Sequence, residues 1–188
     1  MHERVRKAIG KRGLGASNIV VLDALLKLRQ VCCDPALVKL PGARRTIGSA
    51  KREHLRGMLK ALLDEGRKIL LFSQFTEMLD LIEADLTEDG VRHVRLDGST
   101  RDRATPVRRF QDGRAELMLI SLKAGGTGLN LTAADTVIHY DPWWNPAVMR
   151  QAEDRAHRIG QDKPVFIYSL VCEDTVEDRI LEMQEQKS

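Results

Sequence analysis

A pair of arginines separated by two residues is the strongest indication of phosphate chemistry in this sequence. On a helix, Gln151, Arg155 and Arg158 stand at positions i, i+4 and i+7 and share one face. Two guanidinium groups one turn apart suit bidentate hydrogen bonds to phosphate oxygens, which lysine side chains do not reproduce. The simpler interpretation is a solvated helix face with intrahelical ion pairs, such as Asp154 with Arg158.

A second candidate phosphate site is the glycine-rich segment Lys123–Asn130, KAGGTGLN. Closely spaced glycines let backbone N–H groups approach an anion near a helix N-terminus. Gly126, Thr127 and Gly128 do not continue into a G-x-G-x-x-G fingerprint, because Leu131 stands where the third glycine should fall. No Gly-Lys-Ser/Thr occurs in this chain, so the chain has no P-loop. The alternative is an ordinary tight turn between a strand and a helix.

Polar, glycine and hydroxyl residues also follow each of the first four predicted strands. Because parallel strands end at one edge of a sheet, and open α/β sheets bind ligands there, these residues define one candidate binding edge. The four segments are Ser73–Phe75, Asp97–Thr100, Lys123–Asn130 and Asp141–Pro146.

The elements that must position these residues alternate between strands and helices. Apolar runs predict strands at residues 68–73, 91–96, 116–122, 136–140 and 164–171. Helices are predicted at 19–31, 49–65, 76–88, 102–111, 146–159 and 175–186, with Ser17 or Asn18 capping the first and a turn and short helix at 124–133. This alternation implies a mainly parallel sheet, and we predict an α/β fold with an N-terminal helical extension.

Composition limits the class of protein further. The chain has 188 residues, of which 43% are apolar and 30% are charged, which is enough apolar surface for a core. No apolar run approaches the ~20 residues of a membrane span, and the N-terminus lacks the apolar region of a secretory signal. Three cysteines cannot make a disulfide framework, so we expect a reducing compartment. No cysteine or histidine pair has zinc-ligand spacing, and we predict no metal site in the chain.

The charge is distributed unevenly. Residues 1–60 carry 14 Lys/Arg and 4 Asp/Glu, whereas residues 61–188 carry 16 and 23. Either the basic part faces a polyanion, or it is a solvated arm. We predict a basic helical extension or linker at residues 1–50 and a globular lobe at residues 51–188.

Four motifs together resemble the Snf2 family of DNA-dependent ATPases, in superfamily 2 of helicase-like proteins. ILLFSQF, RLDGST, SLKAGGTGLNLTAADTVIHYDPWWNP and QAEDRAHRIGQ are similar to its motifs IV, IVa, V and VI. D-P-x-W-N-P followed by A-H-R-I-G-Q separates this family from RNA helicases. LRQVCCDPAL is similar to the segment that leads into the same lobe; Asp34 stands there where many relatives have histidine, and we expect that position to be structural.

The resemblance implies the second RecA-like lobe of a two-lobe motor, with ATP in the cleft between the lobes. By motif position, Arg155 and Arg158 correspond to catalytic arginine fingers, and Gly128, Asn130 and Gln151 lie near the nucleotide. Trp144 falls at the DNA surface, where we expect it to enter the minor groove, and we expect one of Trp143 and Trp144 to be buried and the other exposed. The positions expected to face the DNA backbone are Ser73, Gln74, Ser99, Thr100, Lys123, Gly126 and Thr127.

The implied function is ATP-dependent translocation on double-stranded DNA. The partners would be duplex DNA, the N-terminal RecA-like lobe of the same protein and a DNA-bound protein target, with no membrane. That other lobe would supply the P-loop and most of the binding of ATP and Mg²⁺, so this chain alone should lack ATPase activity. The protein would be cytoplasmic, nucleoid-associated or nuclear. The alternatives are a lobe of an RNA- or single-strand-directed superfamily 2 helicase and a nucleic-acid-binding module without catalysis.

Overall fold

The structure is a computed structural model that describes residues 13–39, 48–124, 129–156 and 164–185, with side chains from residue 18 onward. Strands and helices alternate from residue 50 to residue 121 and again from residue 136 to residue 185, as the hydrophobic pattern predicts. The strands are β1 (Ile69–Ser73), β2 (His93–Leu96), β3 (Leu117–Ser121), β4 (Thr136–His139) and β5 (Phe166–Ser169). The α-helices are α1 (Gly13–Cys33), α2 (Ala50–Asp64), α3 (Thr76–Glu88), α4 (Ala104–Gln111), α5 (Pro146–Glu153) and α6 (Val176–Glu185), and a 3-10 helix spans Pro35–Leu37.

The five strands form one parallel sheet in the order β2-β3-β1-β4-β5. Ser73, the last residue of β1, lies opposite Ser121 of β3, and Phe72 lies opposite His139 of β4. The carboxyl ends of the three central strands are therefore level, and the segments that follow them leave the sheet at the same edge. The predicted α/β fold is confirmed.

Central strand β1 is buried on both faces. Its side chains alternate between two cores, so every position has to be filled by an apolar residue or a satisfied hydroxyl. The first core joins Ile69 and Leu71 to leucines of α2 and α3, and the second joins Leu70 and Phe72 to Phe110 of α4 and Ala152 of α5. In contrast, β5 lies at the edge of the sheet, and its Phe166 and Ile167 side chains are 39% and 48% exposed.

Two predicted helix boundaries are wrong. Helix α1 begins at Gly13, so Ser17 and Asn18 lie inside the helix and do not cap it. Helix α5 ends at Glu153, six residues before the predicted end. The backbone tightens there, because the N–H groups of Arg155 and Ala156 donate to carbonyls three residues earlier, and the carbonyl of Arg155 accepts the N–H of Leu131.

The segment between β3 and β4 also differs from its prediction. Residues 129–133 contain no helix, whereas a short helix was expected within residues 124–133. Residues 125–128 of that segment lie outside the described residues.

A buried ion pair joins helix α2 to helix α6. Lys51 donates to Glu177 over 2.5 Å, and their side chains are 3% and 0% exposed. The same ammonium group donates to the carbonyls of Tyr140 and Leu170, which directly follow β4 and β5. Because the N–H of Cys172 also donates to Glu177, this cluster fastens both helices to the carboxyl ends of two strands.

We expect Glu177→Ala to lower the free energy of unfolding by about 3–5 kcal/mol, because it leaves the Lys51 ammonium buried without its counter-charge. Urea unfolding followed by circular dichroism measures the change. Arg179→Ala, which breaks the exposed Arg179–Glu182 pair on the same helix, is the matched control and should have a much smaller effect. Equal losses in the two variants would show that the buried pair does not hold α6.

Candidate functional site

A buried carboxylate connects the ends of the neighbouring strands β1 and β4. Asp141, which lies two residues beyond β4, accepts a hydrogen bond from the Ser73 hydroxyl at 2.5 Å and one from the Gln74 backbone N–H at 3.2 Å. The Asp141 side chain is buried, and the Arg29 Nη2 lies 3.9 Å from its Oδ2. The carboxylate thus fixes the start of both segments that follow these strands.

Burial raises the pKa of Asp141 to about 6. The hydroxyl of Ser73, the N–H of Gln74 and the Arg29 charge oppose this shift, because each stabilises the ionised carboxylate. The hydrogen bonds therefore do not fully compensate the loss of water around this group.

Ser73 and Gln74, at the end of β1, were both expected to face a DNA backbone, and the structure places them in different environments. Ser73 is fully buried, and its hydroxyl donates to Asp141 and accepts the N–H of Phe75 at 3.1 Å. Gln74 is half-buried, and its side-chain Nε2 has no hydrogen-bond partner among the described residues. Ser73 therefore supports the edge through its buried hydrogen bonds, whereas the Gln74 side-chain amide keeps a donor that no described residue accepts.

Both tryptophans of the chain lie against one guanidinium group. The Arg29 guanidinium carbon is 5.2 Å from the ring centre of Trp144, 5.5 Å from that of Trp143 and 5.8 Å from that of Phe75. Its Nη2 donates to the carbonyl of Pro142 at 2.6 Å. The two indoles are both half-buried, so the expectation of one buried and one exposed tryptophan is wrong. They share the same buried cation, which covers part of each ring.

The loop after β2 presents its hydroxyl groups on a preformed turn. Asp97 accepts the backbone N–H of Ser99 at 2.8 Å and its hydroxyl at 2.6 Å, while the N–H of Asp97 donates to Thr100 Oγ1 at 3.0 Å. The Ser99 hydrogen bonds lower the pKa of Asp97, and Arg95, which donates to it at 2.7 Å, adds to this effect. Ser99 is exposed and Thr100 is half-buried, so the turn holds both hydroxyls near the surface.

Two arginines approach the glycine-rich segment from its two ends. The Arg155 carbonyl accepts the N–H of Leu131, just after the segment, and the Arg103 guanidinium donates to the carbonyl of Ala124, the second residue of the segment. Burial lowers the pKa of the Arg155 guanidinium, and repulsion from Arg103 lowers it further. The exposed side chain of Lys123, the first residue of the segment, adds a third cation. This end of the edge therefore carries concentrated positive charge.

The other residues predicted near the nucleotide lie around this charge. Asn130 and Gln151 are exposed, and the carbonyl of Asn130 accepts the side-chain amide of Gln111 at 3.1 Å. Arg155 is buried, at 6% exposure, so Gln151 and Arg155 do not share an exposed helix face. That prediction is wrong because α5 ends before Arg155. Four further predicted site residues lie outside the described residues: Gly126, Thr127, Gly128 and Arg158.

Sequence reasoning gave no individual role to three residues that organise the site, namely Arg29, Arg103 and Asp141. Asp141 lay in a predicted strand-end segment, and an acidic residue directly after an apolar strand has to be satisfied by its neighbours. Arg29 lay in the family segment LRQVCCDPAL, but its contact with Pro142 joins distant parts of the chain, and Arg103 was not singled out.

Two searches of the described residues gave negative results. Within residues 13–39, 48–124, 129–156 and 164–185, no group of three or more His, Cys, Asp and Glu side chains is arranged to hold a metal ion. In those same ranges no helix is both long and apolar enough to cross a bilayer.

We expect protonation of Asp141 to stabilise the fold, because its pKa of about 6 lies above the value near 3.9 in the unfolded chain. The penalty of the ionised carboxylate is present above pH 6 and is relieved as the pH falls towards 4. The quantity to follow is the free energy of unfolding of the parent minus that of the Asp141→Asn variant. This difference should fall by about 2–3 kcal/mol as the pH rises from 4 to 7. Chemical denaturation at several pH values measures it.

Asp97→Asn is the matched control, because the pKa of Asp97 is shifted downward. The corresponding difference for Asp97 should rise with pH in the window below about 4, opposite in sign to that for Asp141. A difference for Asp141 that does not change between pH 4 and pH 7 would contradict the assigned burial of its charge.

Comparison with known proteins places this arrangement in a family. Residues 50–160 match the family described as the helicase conserved C-terminal domain. The chain is 39% identical over 170 residues to an uncharacterized ATP-dependent helicase of Mycoplasma genitalium, covering 89% of this chain and 16% of that protein. It is 43% identical over 157 residues to the human chromatin-remodeling ATPase INO80, covering 81% of this chain and 10% of the relative. The chain thus spans less than a fifth of the length of these curated relatives.

A solved structure shows the same fold. The structure described as the C-terminal part of the Fun30 ATPase domain aligns with a TM-score of 0.68 at 35% sequence identity, over 85% of this chain and 54% of that chain. The parallel sheet, the motifs at its carboxyl edge and these relatives agree, and the chain therefore belongs to the family of helicase conserved C-terminal domains, as a C-terminal RecA-like lobe of the Snf2 type in superfamily 2.

Proposed function

We propose that this chain is the second motor lobe of a two-lobe ATPase that translocates on double-stranded DNA. The observation that carries the proposal is the repulsion between the Arg155 and Arg103 guanidinium groups, at residues whose hydrogen bonds reach Leu131 and Ala124 on either side of the glycines. Two guanidinium groups that repel each other gain stability when an anion enters between them.

The nucleotide side of the proposal assigns distinct tasks to these residues. Arg155, with Arg158 by motif position, stabilises the charge on the transferring γ-phosphoryl group, and Gly128, Asn130 and Gln151 contact the nucleotide around it. Because Arg155 is buried in the lobe, it has to change its contacts when a phosphate group arrives. Binding of ATP and reorientation of Arg155 are therefore linked events.

The partner lobe completes this site. The chain contains no P-loop, and its described residues offer no acidic cluster for a metal ion, so ATP and Mg²⁺ would be held mainly by the N-terminal RecA-like lobe of the same protein. The isolated chain should accordingly lack ATPase activity. The names of the relatives, an ATP-dependent helicase and a chromatin-remodeling ATPase, support ATP hydrolysis by the whole protein and a nuclear or nucleoid setting.

The DNA side of the proposal uses the remainder of the same edge. Residues with polar side chains lie after β1, β2 and β3, at Gln74, Ser99, Thr100 and Lys123, and side chains of this kind suit phosphate oxygens. Lys123 is exposed, whereas the Gln74 Nε2 is buried and the Ser99 hydroxyl donates to Asp97, so both would have to reorient to contact DNA. Gly126 and Thr127 join them by motif position. Trp144 supplies an apolar surface that enters the minor groove, and the buried Ser73 supports the edge through Asp141.

We expect Arg155→Ala in the two-lobe protein to reduce DNA-stimulated ATP turnover by about 10³–10⁵-fold, because it removes the group that stabilises transition-state charge. Arg155→Lys should not restore turnover, since an ammonium lacks the planar fork of a guanidinium. Steady-state phosphate release measures both variants, with Arg158→Ala tested in the same way. Arg179→Ala, an exposed arginine of α6, is the control. Turnover close to that of the parent in the Arg155 and Arg158 variants would favour a binding module without a motor cycle.

We expect Trp144→Ala to raise the duplex concentration needed for half-maximal ATPase stimulation by about tenfold, because the indole is lost from the DNA surface. Phe166→Ala on strand β5, where the ring lies over Arg67 at 4.4 Å, is the aromatic control and should leave this concentration unchanged. Duplex DNA should stimulate the parent more strongly than single-stranded DNA or RNA. Stronger stimulation by RNA or single strands would instead support a superfamily 2 helicase directed to those substrates.

A further inference from the structure

The side chain of Arg29 joins the N-terminal helix to the proposed DNA edge. Arg29 lies one turn before the end of α1 and is only 3% exposed. Its guanidinium reaches across the chain to the carbonyl of Pro142 and lies 5.2–5.8 Å from the ring centres of Trp143, Trp144 and Phe75. The contact therefore connects α1 to the segments that follow both β1 and β4.

Burial of this cation is costly, and its surroundings compensate only in part. Burial lowers the pKa of the Arg29 guanidinium, while Asp141 raises it. Its Nε has no hydrogen-bond partner among the described residues, and aromatic faces occupy that region. A guanidinium held mainly by ring faces and one carbonyl suits a role in orienting the rings, because cation–π attraction depends on how each ring faces the charge.

The two indoles need such support. Both are half-buried, and the only hydrogen bonds found for their residues within the described part of the chain involve the carbonyl of Trp143, which accepts the side-chain amide of Gln184. The indole of Trp144 therefore depends on packing for its orientation, and Arg29 lies against it.

We propose that Arg29 is a positioning residue that sets the orientation of Trp143 and Trp144 and thereby makes α1 part of the DNA-binding machinery. This inference rests on the proposed function, since it assumes that Trp144 contacts duplex DNA. It also means that the lobe at residues 51–188 does not contain everything that the DNA edge requires.

The geometry of α1 agrees with this role. The helix contacts α2 and α6 and is buried at Arg29 and Cys33, whereas Ile19 and Leu22 are exposed. The C-terminal turns of α1 hold the helix to the lobe, and Arg29 is the residue there that reaches the tryptophans. A displacement of α1 would consequently change the support of both indoles.

Intrinsic fluorescence of the full 188-residue chain tests the positioning directly, because its only two tryptophans are the two that contact Arg29. We expect Arg29→Met to increase acrylamide quenching of the emission by about twofold, as the rings lose the side chain that covers them. Arg29→Lys should give an intermediate value, because an ammonium keeps the charge and loses the planar fork. Arg56→Met is the control and should match the parent, because Arg56 of α2 forms an exposed ion pair with Asp89 and does not contact the tryptophans.

Duplex binding by the two-lobe protein tests the consequence for DNA. We expect Arg29→Met to weaken binding about tenfold and Trp144→Ala to weaken it similarly. The double variant should bind no more weakly than Trp144→Ala alone, because Arg29 acts through the indole. Additive losses would contradict the positioning role and indicate an independent contribution of Arg29.

These outcomes separate the two hypotheses. Weakened binding by Trp144→Ala with unchanged quenching and binding in both Arg29 variants would overturn the inference and leave the proposed function intact. Unchanged binding in Trp144→Ala would overturn the DNA contact itself. If an Arg29 variant does not fold, NMR of the unmodified chain still tests the contact between Arg29 and the aromatic rings. The Arg29 Nε–H resonance should be shifted upfield by the surrounding rings. An unshifted, rapidly exchanging resonance would overturn the inference.

Discussion

The carboxyl edge of the sheet depends on how two opposite charges are satisfied after both are removed from water. Asp141 and Arg29 are each almost fully buried, and their charged atoms lie 3.9 Å apart, beyond a direct hydrogen bond. The carboxylate is held by the end of β1, and the guanidinium by the rings and a carbonyl after β4. The contacts that stabilise each charge also fix the segments that leave the sheet after β1 and β4. A change that disturbs either charge should therefore also change the shape of the edge.

A second concentration of charge lies at the glycine-rich segment and has the opposite character. Burial lowers the pKa of the Arg155 guanidinium, and the neighbouring Arg103 lowers it further. Near Asp141 charges of opposite sign lie together, whereas here charges of the same sign do. The difference suits an edge in which one part is a scaffold and another part binds phosphate.

The hydrophobic pattern was sufficient to predict most of the elements, because burial on two faces leaves a clear signal. Helix α3 has the predicted bounds, residues 76–88, and each strand lies within its predicted segment. The end of α5 was missed because the backbone tightens after Glu153 and the Arg155 carbonyl bonds to the distant Leu131, which no local periodicity records. Sequence patterns report which residues face a core more reliably than where a distant segment interrupts a helix.

The candidate site shows the same division. The strand-end motifs were predicted to share one edge, and the parallel sheet brings the ends of their strands together there. The polar contacts within that edge were not predictable, because Arg29 and Pro142 are 113 positions apart and Ser73 turns its hydroxyl inward to Asp141. Asp34 illustrates a position that could be interpreted: it caps the 3-10 helix through the N–H of Ala36 and forms an ion pair with Arg52, in agreement with its expected structural role.

The central claim is that this lobe lends a guanidinium group to a triphosphate held by another lobe. A structure of the two-lobe protein with duplex DNA and an ADP–metal fluoride complex tests it most directly, because the fluoride group marks the position of the transferring phosphoryl. The account predicts that the Arg155 guanidinium leaves its buried position and lies within about 3 Å of the fluoride group, as in a charge-assisted hydrogen bond. An Arg155 side chain that stays buried in the lobe and out of reach of the bound nucleotide would contradict it.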